Sequence, residues 1–100
     1  MKLPYYPVIF TSTRTAVDDG YSEIATKMVE LAQQQEGFLG VESARNDIGI
    51  TVSYWRDLDS IKNWKNQLDH LEAQQKGQST WYLNYTVRIT LVEREYNFTI

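Results

Sequence analysis

Residue types that would announce a chemistry are scarce in this chain. It has no cysteine and a single histidine, His70. Disulfides, thiolate nucleophiles and cysteine-type zinc sites are excluded, and so is a metal site built from several histidines. No Ser has the surround of an activated nucleophile, and no glycine-rich loop is present to hold a phosphate or a dinucleotide. Positive charge is also short. Ten Lys and Arg stand against thirteen Asp and Glu, giving a net charge of −3 and a pI near 5.0. That balance argues against a nucleic-acid phosphate partner. No segment approaches the roughly 18 apolar residues of a membrane span, so no membrane partner is expected. The opening MKLPYYPVIFTSTR has a short, proline-containing apolar run and lacks the cleavage region of a signal peptide. With the missing cysteines, this fits a cytoplasmic protein.

Aromatic side chains are plentiful: 3 Trp, 7 Tyr and 3 Phe in 100 residues. They imply a well-filled core, a large interface, an aromatic-lined pocket, or a mixture of these. The length implies one domain, residues 1–100. A domain this small buries only about two-thirds of its unfolded surface, so association with a second copy is a common source of added stability.

PVIFTSTR, 7–14, is β-branched and aromatic and predicts a strand, with Pro7 at its first position. Asp18 or Asp19 then caps a predicted helix in which Tyr21, Ile24, Ala25, Met28, Leu31 and Ala32 form one buried stripe, with Gly37 as its stop. FLGVESAR, 38–45, and ITVSYWR, 50–56, flank the turn NDIG and predict a β-hairpin. Asp57 or Asp59 caps a second helix carrying SIKNWKNQLDHLEAQQKG, 60–77, and YTVRITLVEREYNF, 85–98, predicts a long final strand. The order β–α–β–β–α–β closes as a ferredoxin-like α+β fold: a four-stranded antiparallel sheet with both helices on one face. Strand residues are apolar on both faces: Val8 and Phe10 oppose Ile9, and Val52 and Tyr54 oppose Trp55. Helices cover only one face, so the other is expected to pack sheet against sheet in a homodimer.

The succession VIFTSTR, a helix, EGFLGVESAR, ITVSYWRDLDSIKNWK, His70, a late Trp-Tyr pair and a long strand ending VEREY resembles the antibiotic biosynthesis monooxygenase (ABM) domain. The resemblance runs over roughly residues 5 to 98. It implies ferredoxin-like chains that pair as a dimeric α/β barrel. Members include cofactor-independent monooxygenases of polycyclic aromatic polyketides and haem-degrading enzymes, so the fold does not choose the reaction.

Trp64 lies on a stripe with Ile61, Leu68 and Leu71, which suits core packing; the resemblance implies that it lines a substrate pocket, where its indole N–H can hold an oxygenated intermediate. On an unbroken helix His70 points well away from Trp64 and suits a surface position. The resemblance implies a helix split near Asn66–Gln67, which would bring His70 to the pocket as general base or proton relay. The haem-degrading branch is implied to carry an Asn on the first strand and a ligating His further along this helix. Here the first strand holds Thr11, Ser12 and Thr13, and the ligand position is Gln74, which argues against haem. Arg88 suits a salt bridge within the dimer; the resemblance implies that an Arg on the last strand can steady an anionic substrate. Trp81, Tyr82 and Tyr54 are further candidates for the pocket lining.

The expectation is a homodimeric monooxygenase, without cofactor or metal, in which a small aromatic or polycyclic phenol-like substrate meets dioxygen. His70 and Trp64 are the catalytic candidates; Arg88, Tyr54, Trp81 and Tyr82 are the binding candidates. The alternative is a ligand-binding or regulatory dimer that uses the same pocket without chemistry.

Overall fold

The computed structural model describes the backbone of residues 1–74 and 81–100 and the side chains of 1–69 and 81–100. The alternating PVIFTSTR segment becomes strand β1 (Tyr6–Arg14), followed by helix α1 (Tyr21–Gln33), strands β2 (Phe38–Arg45) and β3 (Gly49–Trp55), helix α2 (Leu58–Gln74) and strand β4 (Tyr82–Ile89). The strands form one antiparallel sheet in the order β2-β3-β1-β4. This is the expected ferredoxin-like α+β arrangement, with β1 and β3 central.

Register decides which residues share a face. Val8 of β1 pairs with Ser53 of β3 and Ile89 of β4, and Ser53 pairs with Val41 of β2. This row faces the helices, because Val8 packs with Ala32 of α1 and Ile61 of α2. Neighbouring positions, Ile9 with Val52 and Arg88, point to the opposite, open face.

The core is centred on Trp55, which is fully buried. Phe38 meets it edge-on at 5.5 Å, and Trp64 stacks on it at 4.8 Å with 30° between the planes. Its indole N–H donates to Ser53 Oγ at 2.9 Å, so the ring is buried without leaving its polar atom unpaired. A buried Trp removes about 200 Å² from water, worth about 5 kcal/mol of transfer free energy. That is comparable with the whole net stability of a small domain, about 5–15 kcal/mol.

The α1 stripe packs as its spacing predicts: Ile24 and Ala32 are buried, and Tyr21, Ala25, Met28 and Leu31 are half-buried. Its cap differs from expectation. Gly20 holds the N-cap position with no side-chain cap bond. Asp18 is drawn off by Arg14 at 3.0 Å, and offers Tyr21 only its backbone carbonyl. Asp57 does cap α2, accepting the Ser60 N–H at 2.8 Å and Arg56 Nε at 2.9 Å. These hydrogen bonds from Ser60 and Arg56 hold its carboxyl down at about 2. Gly37 is required for two reasons: its φ is +88°, and a Cβ there would lie 2.0 Å from Ser60 Oγ. The turn after α1 is thereby pressed against the start of α2.

The final strand is shorter than expected from the alternation in 85–98. β4 begins at Tyr82 and ends at Ile89. Beyond it the chain is tied to β1 and to the residue before it: Thr90 N–H and Oγ1 to Pro7 O, a bridge between Tyr5 and Val92, and a bond from Tyr5 Oη to Glu95. Tyr96, Phe98 and Ile100 are exposed, and among the described residues alternation there has no neighbouring strand to pair with.

Candidate active site

The helix-side face of the sheet is unevenly covered. At its β3 side Val8, Trp55 and Ile61 are sealed under the helices. At its β4 side Tyr85, Val87 and Ile89 are 58%, 50% and 55% exposed, although they share rows with Ser12, Phe10 and Val8 on the same face. This apolar strip, on the helix-side face of the sheet yet open to solvent, is left uncovered by the chain's own helices. Phe10 stacks on Tyr85 at 5.3 Å and meets Tyr82 edge-on at 5.7 Å. Tyr21 descends from α1 onto Tyr82 and Trp81, at 6.0 and 5.6 Å. Five aromatic rings from β1, α1 and the start of β4 thus join in one patch, of the shape and polarity that suit a flat aromatic guest.

Trp64 lies in the same helix-side layer, on α2. Its Nε1 is buried and has no hydrogen-bond partner among the described residues. Trp55 and Trp81 have theirs: Trp81 donates to the Asp19 carbonyl at 2.9 Å and so fastens the start of β4 to the entry of α1. An unpaired buried donor costs about 1–3 kcal/mol, and it is a feature expected where a ligand supplies the acceptor.

The polar groups here are few. Arg45 reaches from the end of β2 across Gly49 and donates to Ser12 Oγ at 2.5 Å. The Arg14 guanidinium lies 3.4 Å from the centroid of the Tyr21 ring and is bound to Asp18. Burial lifts the Tyr82 phenol well above its ordinary value, and a hydrogen bond with Tyr21 adds to this, while Arg45 and Arg14 pull the other way. Tyr82 is therefore a neutral phenol at neutral pH, able to donate a hydrogen bond but not to act as a base.

The candidates predicted from sequence do not all converge. Trp64, Tyr82 and Trp81 belong to the helix-side layer. Arg88 pairs with Ile9 and lies on the open face, exposed, 3.5 Å from Thr11 Oγ1. Tyr54 is on that same face, with its hydroxyl on Glu42 at 2.9 Å and its ring edge-on to Tyr5. The sheet therefore separates Arg88 and Tyr54 from Trp64 within one chain. α2 runs unbroken from Leu58 to Gln74, without the split near Asn66–Gln67. Position 70 accordingly sits about 120° around the axis from position 64; the His70 side chain lies outside the described residues. The sequence assigns Tyr21 and Phe10 to packing and gives Ser12 and Arg45 no role in a site. The signal was present in the hairpin register, since an Arg just before NDIG pairs with its closing glycine.

Residues 4–76 match the antibiotic biosynthesis monooxygenase family. The chain belongs to that family. It is 50% identical over 94 residues to YqjZ of Bacillus subtilis (strain 168), described only as an uncharacterized protein, covering 92% of this chain and 82% of YqjZ. Among solved structures it is similar to a mutant of SnoaB from Streptomyces nogalater, named as a cofactor-independent oxygenase. The TM-score is 0.73 at 12% identity, over 91% of this chain and 95% of that one. It is also similar to a mutant of MhuD holding two manganese protoporphyrin IX molecules per active site, with TM-score 0.68, 13% identity, and coverage of 93% and 99%. Identities this low show a shared ABM fold and leave the chemistry to the residues themselves.

Position 74, where the haem-degrading pattern places its ligand, is still helical and is an amide, and β1 carries no Asn. Among the described residues no group of three His, Cys, Asp or Glu is placed to hold a metal ion, and no helix is long and apolar enough to cross a membrane.

Proposed function

We propose that this ABM protein oxidises a planar aromatic, phenol-like substrate with dioxygen, without flavin, metal or haem, and that the substrate occupies a cleft formed by α2 and the uncovered β1–β4 strip. The observation that carries this reading is the buried, unpaired Trp64 indole N–H in the same layer as the uncovered aromatic strip. The substrate stacks on Phe10 and Tyr85. Once it has lost a proton to solvent water, its carbanion is the electron donor to dioxygen. For an anthrone-type CH₂, one oxygen atom becomes the new carbonyl and the other leaves as water with the two hydrogens, so no external reductant is needed. Trp64 donates to the developing oxyanion, in a cleft dry enough for one hydrogen bond to count.

Oxygen uptake with an anthrone tests the reading. Trp64→Phe keeps a ring on Trp55 and removes the donor; turnover is expected to fall by about 10- to 100-fold. His70→Ala is expected to change turnover less, because α2 is continuous; a loss as large as that of Trp64→Phe would restore a base role for His70. Anthrone binding with no oxygen uptake by the wild type would overturn the oxidative reading and leave a ligand-binding dimer.

The working unit in this proposal is a homodimer packed through the open face. Ile9, Val52 and Tyr54 there are half-buried and Ile50 is 45% exposed. Glu42 on edge strand β2 and Arg88 on edge strand β4 stand about 14 Å apart, three inter-strand spacings. A two-fold axis sets each opposite its counterpart's complement, and Arg88 has no carboxylate partner within its own chain among the described residues. Arg88→Glu is expected to weaken association in sedimentation equilibrium, and Arg88→Glu with Glu42→Arg to recover it. A wild-type monomer at micromolar concentration would remove the dimer.

A further inference from the structure

One charged group at the cleft is not used by the proposed oxidation. Arg45 closes β2, pairs with Gly49 of β3, and through that row lies in line with Ser12 of β1 and Tyr85 of β4. Arg45 is an exposed residue, but its guanidinium folds back over the hairpin. It lies flat across Gly49, where a Cβ would fall 2.0 Å from Nη2, 2.2 Å from Cζ and 2.6 Å from Nε. The backbone of Gly49 has no left-handed φ, so glycine here serves to leave room for the cation. Arg45 thereby reaches Ser12, which is 2% exposed, and its charge arrives at the row that carries Tyr85 and one row from Phe10 and Val87.

Its partner is neutral. Arg14, the other guanidinium nearby, is matched by Asp18 at 3.0 Å. Arg45 makes no ion pair among the described residues; Ser12 Oγ is its one side-chain acceptor. A guanidinium has five N–H donors in a planar fork, and one bond to a hydroxyl leaves most of them free. A planar fork held at the edge of an aromatic floor matches a planar carboxylate on an aromatic ring, which it can bind with two parallel hydrogen bonds.

We infer that Arg45, laid over Gly49 and anchored on Ser12, is the anion-recognition residue of the cleft, and that the cleft's ligand is a planar aromatic bearing a carboxylate. This rests on the reading of the Phe10–Tyr85–Val87 strip as a ligand floor, and it does not depend on turnover. The ligand lies on the strip with its carboxylate toward the Arg45 end. Arg45 sets orientation and selectivity, and is separate from the Trp64 donor.

The test is binding of naphthoate and of its neutral isostere naphthamide, followed by quenching of tryptophan fluorescence and by calorimetry. The wild type is expected to bind naphthoate at least ten-fold more tightly, with a preference that shrinks as salt is added. Arg45→Gln is expected to abolish the preference while keeping naphthamide affinity. Gly49→Ala, which pushes the guanidinium off its seat, is expected to do the same with Arg45 still present. A purely structural role for Arg45 predicts instead that both affinities and the thermal midpoint fall together, and that result overturns the inference. Equal affinities in the wild type, or a preference surviving in Arg45→Gln, also overturn it while leaving the aromatic floor intact. If neither probe binds, the floor reading fails and the inference fails with it.

Discussion

The two ends of the helix-side layer are built from similar side chains and meet different fates. At the β3 end Val8, Trp55, Ile61 and Ala32 are closed over by both helices, with Phe38 and Trp64 packed round them. At the β4 end Tyr85, Val87 and Ile89 remain half in water. Hydrophobicity does not separate these groups. Coverage does: the inner faces of α1 and α2 converge on Trp55, and only Tyr21 leans toward the β4 side. The closed end supplies stability, and the open end is the surface on which the proposed substrate would lie.

This difference has measurable consequences. Trp55→Ala is expected to cause the largest loss, about 3–5 kcal/mol, enough to unfold much of the population of a small domain in denaturant titrations. Paired valines give the sharpest contrast. Val8→Ala is expected to lower stability by about 2 kcal/mol, and Val87→Ala, two positions from Ile89 on the same face, by less than about 0.5 kcal/mol. Equal losses at the two sites would mean that the β4 strip is covered in solution. Trp64→Phe is expected to change stability by less than about 1 kcal/mol, since the stacked ring is kept and the removed N–H was unpaired; its effect belongs to turnover. The smallest effect is expected at Asp57. Its folded value, about 2, lies below the ordinary 3.8. Its contribution is therefore present above the ordinary value and lost as pH falls toward the folded one. Asp57→Asn should lower the thermal midpoint at neutral pH and flatten its fall across that acid range.

Another contrast concerns α2. Its Ile61–Trp64 spacing is readable from sequence, because a helix imposes 3.6 residues per turn wherever it runs. The split needed to bring position 70 round to the side of Trp64 is not encoded by any Pro or Gly between the two, and the helix is continuous. The final strand shows the converse. Alternation in YTVRITLVEREYNF predicts extended chain throughout, and the chain past Ile89 does leave the helical region, but a strand requires a neighbour to bond with. β1 begins at Tyr6, so the segment beyond Val92 runs out of partner.

Period and punctuation alone determined the element order, the two alternating sets of each strand and an Asp cap at 57 or 59. These follow from local rules: two-residue alternation, helical spacing, and the turn chemistry of NDIG and Gly37. Tertiary structure decided the rest. Asp18 and Asp19 were equally good caps until Arg14 folded back to claim Asp18. Arg88 and Trp64 were both reasonable pocket residues until registration of β4 against β1 placed the sheet between them. Arg45 was an ordinary hairpin cation until a glycine opposite it let the guanidinium lie on the sheet and reach Ser12. Each of these depends on which distant residue arrives alongside, and that is set by strand pairing and packing across the chain, beyond the reach of any local window.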